Sequence, residues 1–140
     1  MDEKSRDRDL DLNIPMVPEM ELTVTKVAEG VGEFMKLDID KIEEIKMALI
    51  EACINAIEHS KSEDRRIAIT FDIGEEELKI QIADQGKGFD LGEAQKQLQA
   101  RRDSGDRHRG WGLTIMRGLM DEVEVETGES GTRITMVKRR

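Results

Sequence analysis

The chain has 140 residues, a net charge of −9 and a single cysteine, Cys53. That length suits one domain with a core of its own, and one cysteine without a CxxC or Cys/His cluster excludes a disulfide framework and a structural zinc site and fits a reducing compartment. The acidity argues against direct nucleic-acid binding, which relies on Lys and Arg to neutralise phosphates, and the closing KRR at 138–140 is too short to reverse it; it suits a basic protein partner, or solubility alone.

The first residues, MDEKSRDRDLDLN, are densely charged and hold no apolar stretch of a signal peptide. No apolar run approaches the ~18 residues of a membrane span. The expectation is a cytoplasmic protein with no membrane partner, residues 1–9 forming a charged tail and 10–140 one domain. Leu10, Leu12 and Ile14 alternate with polar residues and predict a short strand, punctuated by Pro15 and Pro18. From Glu19 to Met35, Met20, Val24, Val27, Ala28, Val31, Phe34 and Met35 recur at helical spacing, with Gly30 and Gly32 weakening the helix locally. Leu37-Asp38-Ile39-Asp40 is a connection with an Asp suited to a helix N-cap.

A second helix is expected from about Asp40 to Ser60. Ile45, Leu49, Ala52 and Ala56 form one apolar face, and Met47, Ile50, Ile54 and Ile57 a second, the mark of a helix sandwiched in an interior. Between them runs a polar stripe of Glu51, Asn55, Glu58 and His59. Then KSEDRR makes a polar loop. Ile67, Ile69, Phe71 and Ile73, a GEEE turn, and Leu78, Ile80 and Ile82 predict a hairpin with one buried face. DQGKGFD follows at 84–90, a polar segment with a weak helical signal at 91–109, then RGWGL and a helix bearing Leu113, Met116, Leu119 and Met120. VEVET, GESG and TRITMVK predict a closing hairpin. The order implies an α+β sandwich, a sheet with helices on one face.

Three stretches could carry chemistry. A polar stripe on a buried helix is costly unless its groups find partners. Glu51, Asn55 and His59 either bond one another along the helix or face a cleft. Asp84 directly follows a strand, and Gly86 and Gly88 remove side chains where a flat ligand could approach the backbone. A carboxylate there can accept the amino hydrogens of a purine, although an ordinary glycine turn with a solvated Asp has the same spelling. RGWGL puts Gly110 and Gly112 just before a helix, where bare backbone N–H groups favour phosphate. It is not a Walker A loop, since no GK[ST] follows, and DQGKGF lacks the GxGxxG of a dinucleotide fold.

Taken in order, ExxxNAxxH on a helix, DxGxG after a hairpin strand, a polar segment and GxGL opening a helix resemble the N, G1 and G2 boxes of the GHKL ATPases. The resemblance spans about residues 40–137. The wording EACINAIEHS and GWGLTIMRGLMDEVEVET is most similar to anti-sigma-factor serine kinases of the RsbW/SpoIIAB type. It implies a two-layer α/β sandwich of the GHKL (Bergerat) type with a mostly antiparallel sheet, and ATP with Mg²⁺ as cofactors. Asn55 would hold Mg²⁺ against the ATP phosphates, and Glu51 would be the general base for a serine hydroxyl. Asp84 would bind the adenine amino group, with Gly86 and Gly88 shaping the base pocket. Residues 91–109 would form a mobile lid, and Gly110 and Gly112 would open backbone amides to phosphate. His59 takes the last N-box position, as a phosphate contact or only as an orienting group.

There are departures from the family pattern. Arg107 and Arg109 both stand where one arginine often reaches the γ-phosphate. The lid lacks the proline and threonine often seen there, and the first helix offers Lys26 rather than the arginine frequent in relatives. Trp111 is expected to pack at the lid hinge or touch a partner. The resemblance implies a kinase that phosphorylates a STAS-domain anti-anti-sigma protein, binds a sigma factor and pairs as a homodimer. Two other readings stay open: an ATP-holding regulatory module, and a STAS-directed kinase in a switch without a sigma factor. His59 falls inside the proposed ATP site and His108 in the lid, and the 40 residues before the N box are not expected to supply a phosphoacceptor helix pair in addition to the domain's own first strand and helix. The phosphoacceptor is therefore expected on another protein.

Overall fold

Strict alternation builds the sheet. In the computed structural model, which describes residues 8–59, 64–84, 112–128 and 131–140, β2 (Arg66–Ile73) turns Ile67, Ile69, Phe71 and Ile73 to one side. β3 (Glu77–Asp84) turns Leu78, Ile80 and Ile82 to the same side, and all of these are buried. Ile73 pairs with Leu78 across the turn. β1 (Asp9–Pro15), β4 (Glu122–Gly128) and β5 (Gly131–Arg139) complete five strands in the order β1-β2-β3-β5-β4. The expected mostly antiparallel sheet is antiparallel at every pairing of these strands.

The apolar face is covered by helices α1 (Met20–Phe34), α2 (Ile39–His59) and α3 (Gly112–Leu119). The three helices lie on the strand-alternation face, with α1 and α3 both packed against α2, and make the two-layer sandwich. Gly32 does more than weaken α1. A methyl group built on it would lie 2.6 Å from Ile42 Cγ1, so its bareness lets α1 and α2 pack closely. Helix α1 closes without glycine at its end. Lys36 takes φ 60°, its N–H donates to Glu33 O and the Leu37 N–H to Gly32 O, the paired bonds of a Schellman turn.

Helix α2 departs from the expected sandwich. Ile45, Leu49, Ala52 and Ala56 are buried, but Ile50, Ile54 and Ile57 are only half-buried and Met47 is 53% exposed. One face seals the core and the second is partly covered. Cys53 is fully buried in the same helix. Burial, with the carboxylate of Glu21 nearby, pushes its thiol up to about 12, so it is a core residue rather than a nucleophile. Among the described residues no helix is long and apolar enough to cross a membrane.

Candidate functional site

Asp84 closes the inward series Leu78, Ile80, Ile82 on β3, so the alternation that buries isoleucines also buries its carboxylate, which is 6% exposed. A buried carboxylate needs donors. The Thr132 N–H supplies one, donating to Asp84 Oδ1 at 3.2 Å. Gly131, at φ 127°, makes this approach possible. A methyl group on it would sit 2.2 Å from the Asp84 carbonyl oxygen and 3.0 Å from Oδ1. The Thr132 hydroxyl lies 3.2 Å from that of Thr127. A hollow of about 240 Å³ opens here, lined by Ala83, Asp84, Thr127, Gly131 and Thr132 among others. Sequence reading missed Gly131 and Thr132. The available signal was a polar Thr132 in register with the inward Ile134 and Met136 of β5.

The second cluster joins α2 to α3. Glu51 and Asn55 are one helical turn apart, on one face, and both are half-buried. Gly112, the first residue of α3, is pressed against them. A methyl group there would lie 2.9 Å from Asn55 Nδ2, 3.1 Å from Asn55 Oδ1 and 3.3 Å from Glu51 Oε2. The start of α3 thus brings N–H groups with no intrahelical partner beside an amide and a carboxylate. That donor set fits the group implied by the sequence. Amides at a helix start take phosphate oxygens, and an amide oxygen is a hard ligand suited to Mg²⁺. His59 ends α2 one turn beyond Asn55; its side chain lies outside the described residues. So do Gly86, Gly88, Arg107, Arg109, Gly110, Trp111 and the proposed lid 91–109.

A five-stranded antiparallel sheet under helices, an acid at the end of a hairpin strand and a polar helix stripe capped by a glycine helix start define a nucleotide-binding ATPase fold. Residues 15–138 match the histidine kinase-like ATPase domain, and the chain belongs to that family. Within it the chain belongs with the RsbW serine-protein kinases. It is 33% identical over 135 residues to serine-protein kinase RsbW of Bacillus subtilis, covering 92% of this chain and 84% of the relative. It is 33% identical over 136 residues to that of Staphylococcus epidermidis, covering 92% and 85%. Two crystal structures share the fold. One contains the RsbU and RsbW domains of a Mycobacterium tuberculosis protein, with a TM-score of 0.71 and 19% identity; the match spans 94% of this chain and 31% of that longer one. The other is the SiaB–SiaC complex from Pseudomonas aeruginosa, with a TM-score of 0.65 and 11% identity, spanning 96% and 91%.

Proposed function

We propose that this serine-protein kinase transfers the γ-phosphoryl group of ATP to a serine of a STAS-domain anti-anti-sigma protein, and binds a sigma factor in the other state of a partner switch. The observation that carries the chemistry is the seat of Gly112 on Glu51 and Asn55. Bound Mg²⁺ would supply charge neutralisation at the phosphates. Asn55 would hold the ion through its amide oxygen, the remaining oxygen ligands coming from phosphate and water. No group of three His, Cys, Asp or Glu side chains suited to a metal stands among the described residues. Glu51 would take the serine proton as the serine oxygen bonds to the γ-phosphorus and the bond to ADP breaks. Asp84, held by Thr132, would accept the adenine amino hydrogens in the hollow beside Gly131. Supply of ATP fits a cytoplasmic protein.

The test is transfer from γ-labelled ATP to a purified STAS-domain substrate, with nucleotide affinity measured in parallel. We expect Mg²⁺-dependent transfer. Tight binding of ATP and partner with no transfer would instead favour an ATP-holding module. Asn55→Ala should weaken Mg²⁺-dependent ATP binding by about tenfold or more, the scale of losing one hydrogen bond or ligand at a charged group. Equal affinity in EDTA, before and after substitution, would remove the metal role.

A homodimer is part of this reading. Among the described residues β1 pairs only with β2 and leaves an edge, where unpaired backbone groups invite another strand. Beside it lies a mostly apolar hollow of about 430 Å³ lined by Leu10, Val27, Val31, Phe34 and Ile73, with Arg8 and Asp9 also in its wall. Phe34 is 71% exposed at its rim. Light scattering at micromolar concentration with nucleotide present should give twice the 15.9 kDa of one chain. The single-chain mass would count against pairing.

A further inference from the structure

The inward side of β5 reads Thr132, Ile134, Met136, Lys138. At its far end a lysine stands where an apolar residue would continue the core, and its side chain is only 7% exposed. Its ammonium group is 3.0 Å from Glu44 Oε1 of α2 and donates to the carbonyl of Leu119, the last residue of α3. One cation therefore joins three elements. It also occupies the end of α3 where the carbonyls lack intrahelical partners and the helix dipole favours positive charge.

This end of α3 is linked to the site by helix geometry. Gly112 to Leu119 and Glu44 to Glu51 are both intervals of seven residues, about 10.5 Å at 1.5 Å per residue. Helices α2 and α3 are thus fastened at two matching points: Glu44 through Lys138 to Leu119, and Glu51 with Asn55 against Gly112. A helix as short as α3 is marginal by itself, so its place along α2 is set by the burial of Met116 and by what holds its two ends. A buried lysine paired with a half-exposed carboxylate adds little net stability compared with an apolar side chain of like volume. Stability alone is a poor reason for a lysine here, and placement of α3 is a better one.

We propose that Lys138 is a positioning residue for phosphoryl transfer: by fixing the C-terminal end of α3 to Glu44, it sets where Gly112 stands against Glu51 and Asn55. This rests on the kinase reading above. The test is Lys138→Met, which keeps the volume and leaves Glu44, whose side chain is 41% exposed, able to turn to water. Misplacement of about 1 Å can cost 10²-fold in rate, and a partial loosening is expected to lower transfer at saturating ATP by about tenfold, with the KM for ATP within about threefold. In the unliganded protein, hydrogen exchange of the amides at 116–120 should quicken by about tenfold while those of β2 and β3 stay within twofold, a local rather than global opening. Lys138→Arg, which keeps cation and donor, should restore both readouts.

Unchanged exchange in α3 with transfer within twofold of the parent would overturn the proposal. So would exchange quickening equally in all elements, with transfer falling only as the folded fraction falls, since that is the signature of a stabilising contact. If the parent protein transfers no phosphoryl group, the kinase reading fails by itself. Exchange confined to α3 would then still support the positioning of Gly112 by Lys138, and its absence would overturn it.

Discussion

Glu51→Gln should abolish most phosphoryl transfer while leaving the nucleotide bound. A serine hydroxyl is a poor nucleophile until its proton is removed, and a positioned general base is worth about 10²–10⁴-fold. Glu51 places a carboxylate at the start of α3, one turn from Asn55 and 3.3 Å from where a methyl group on Gly112 would be. Glutamine keeps the length and shape of that side chain and loses the basic oxygen, so the seat of Gly112 is preserved. Transfer from γ-labelled ATP to a STAS serine should fall by at least about 10²-fold. ATP affinity, measured by calorimetry on the same preparation, should stay within about threefold, because a base acts on the transition state and not on bound ATP. Undiminished transfer would remove the base role from Glu51. A parallel loss of affinity and transfer would make it a nucleotide-binding group instead.

Elements governed by local periodicity were legible in the chain. The alternation of Ile67 to Ile73 and Leu78 to Ile82 needs no knowledge of distant residues, and the hairpin follows it. The α2 stripe was legible for the same reason: Glu51 and Asn55 stand one turn apart whatever the rest of the fold does. What escaped depends on register between distant segments. Thr132 reaches Asp84 across 48 positions, and Lys138 reaches Glu44 across 94; neither pairing has a local signature. Their common sign was a polar residue at an inward strand position, visible in TRITMVK once the strand's buried side is known. The half-covered second face of α2 was misjudged because periodicity reports that side chains are apolar, not that another element arrives to cover them. Met47 is such a residue, apolar and 53% exposed. The end of α1 was hidden for another reason: Lys36 adopts the backbone conformation usually signalled by glycine.

Gly131→Ala should separate base recognition from phosphate binding. Gly131 has φ 127°, a conformation in which side-chain-bearing residues cost about 1–3 kcal/mol. The added methyl group would also meet the Asp84 carbonyl at 2.2 Å and its Oδ1 at 3.0 Å, and backbone cannot yield as a flexible side chain does. β5 must therefore shift away from β3 at this end, taking the Thr132 N–H off the carboxylate it now holds. Displacing the carboxylate would cost the hydrogen bond it is proposed to make to the adenine amino group, about 1.5–3 kcal/mol for a bond to a charged group, and ATP affinity should fall by about 10–150-fold. Inorganic triphosphate, which has no base, should bind the variant within about twofold of the parent, because the amides at Gly112 and the side chain of Asn55 belong to different elements. Gly118→Ala in α3, where an added methyl meets nothing within 4 Å, is the control and should be neutral or stabilising by about 0.5–1 kcal/mol. Melting temperatures distinguish lost recognition from lost folding, and affinities are compared well below them. If folded Gly131→Ala binds ATP as tightly as the parent, Asp84 and the hollow beside it are not the base pocket. If affinity for triphosphate falls as far as that for ATP, the two clusters form one inseparable site, and the division of labour between Asp84 and the Glu51–Asn55 stripe fails.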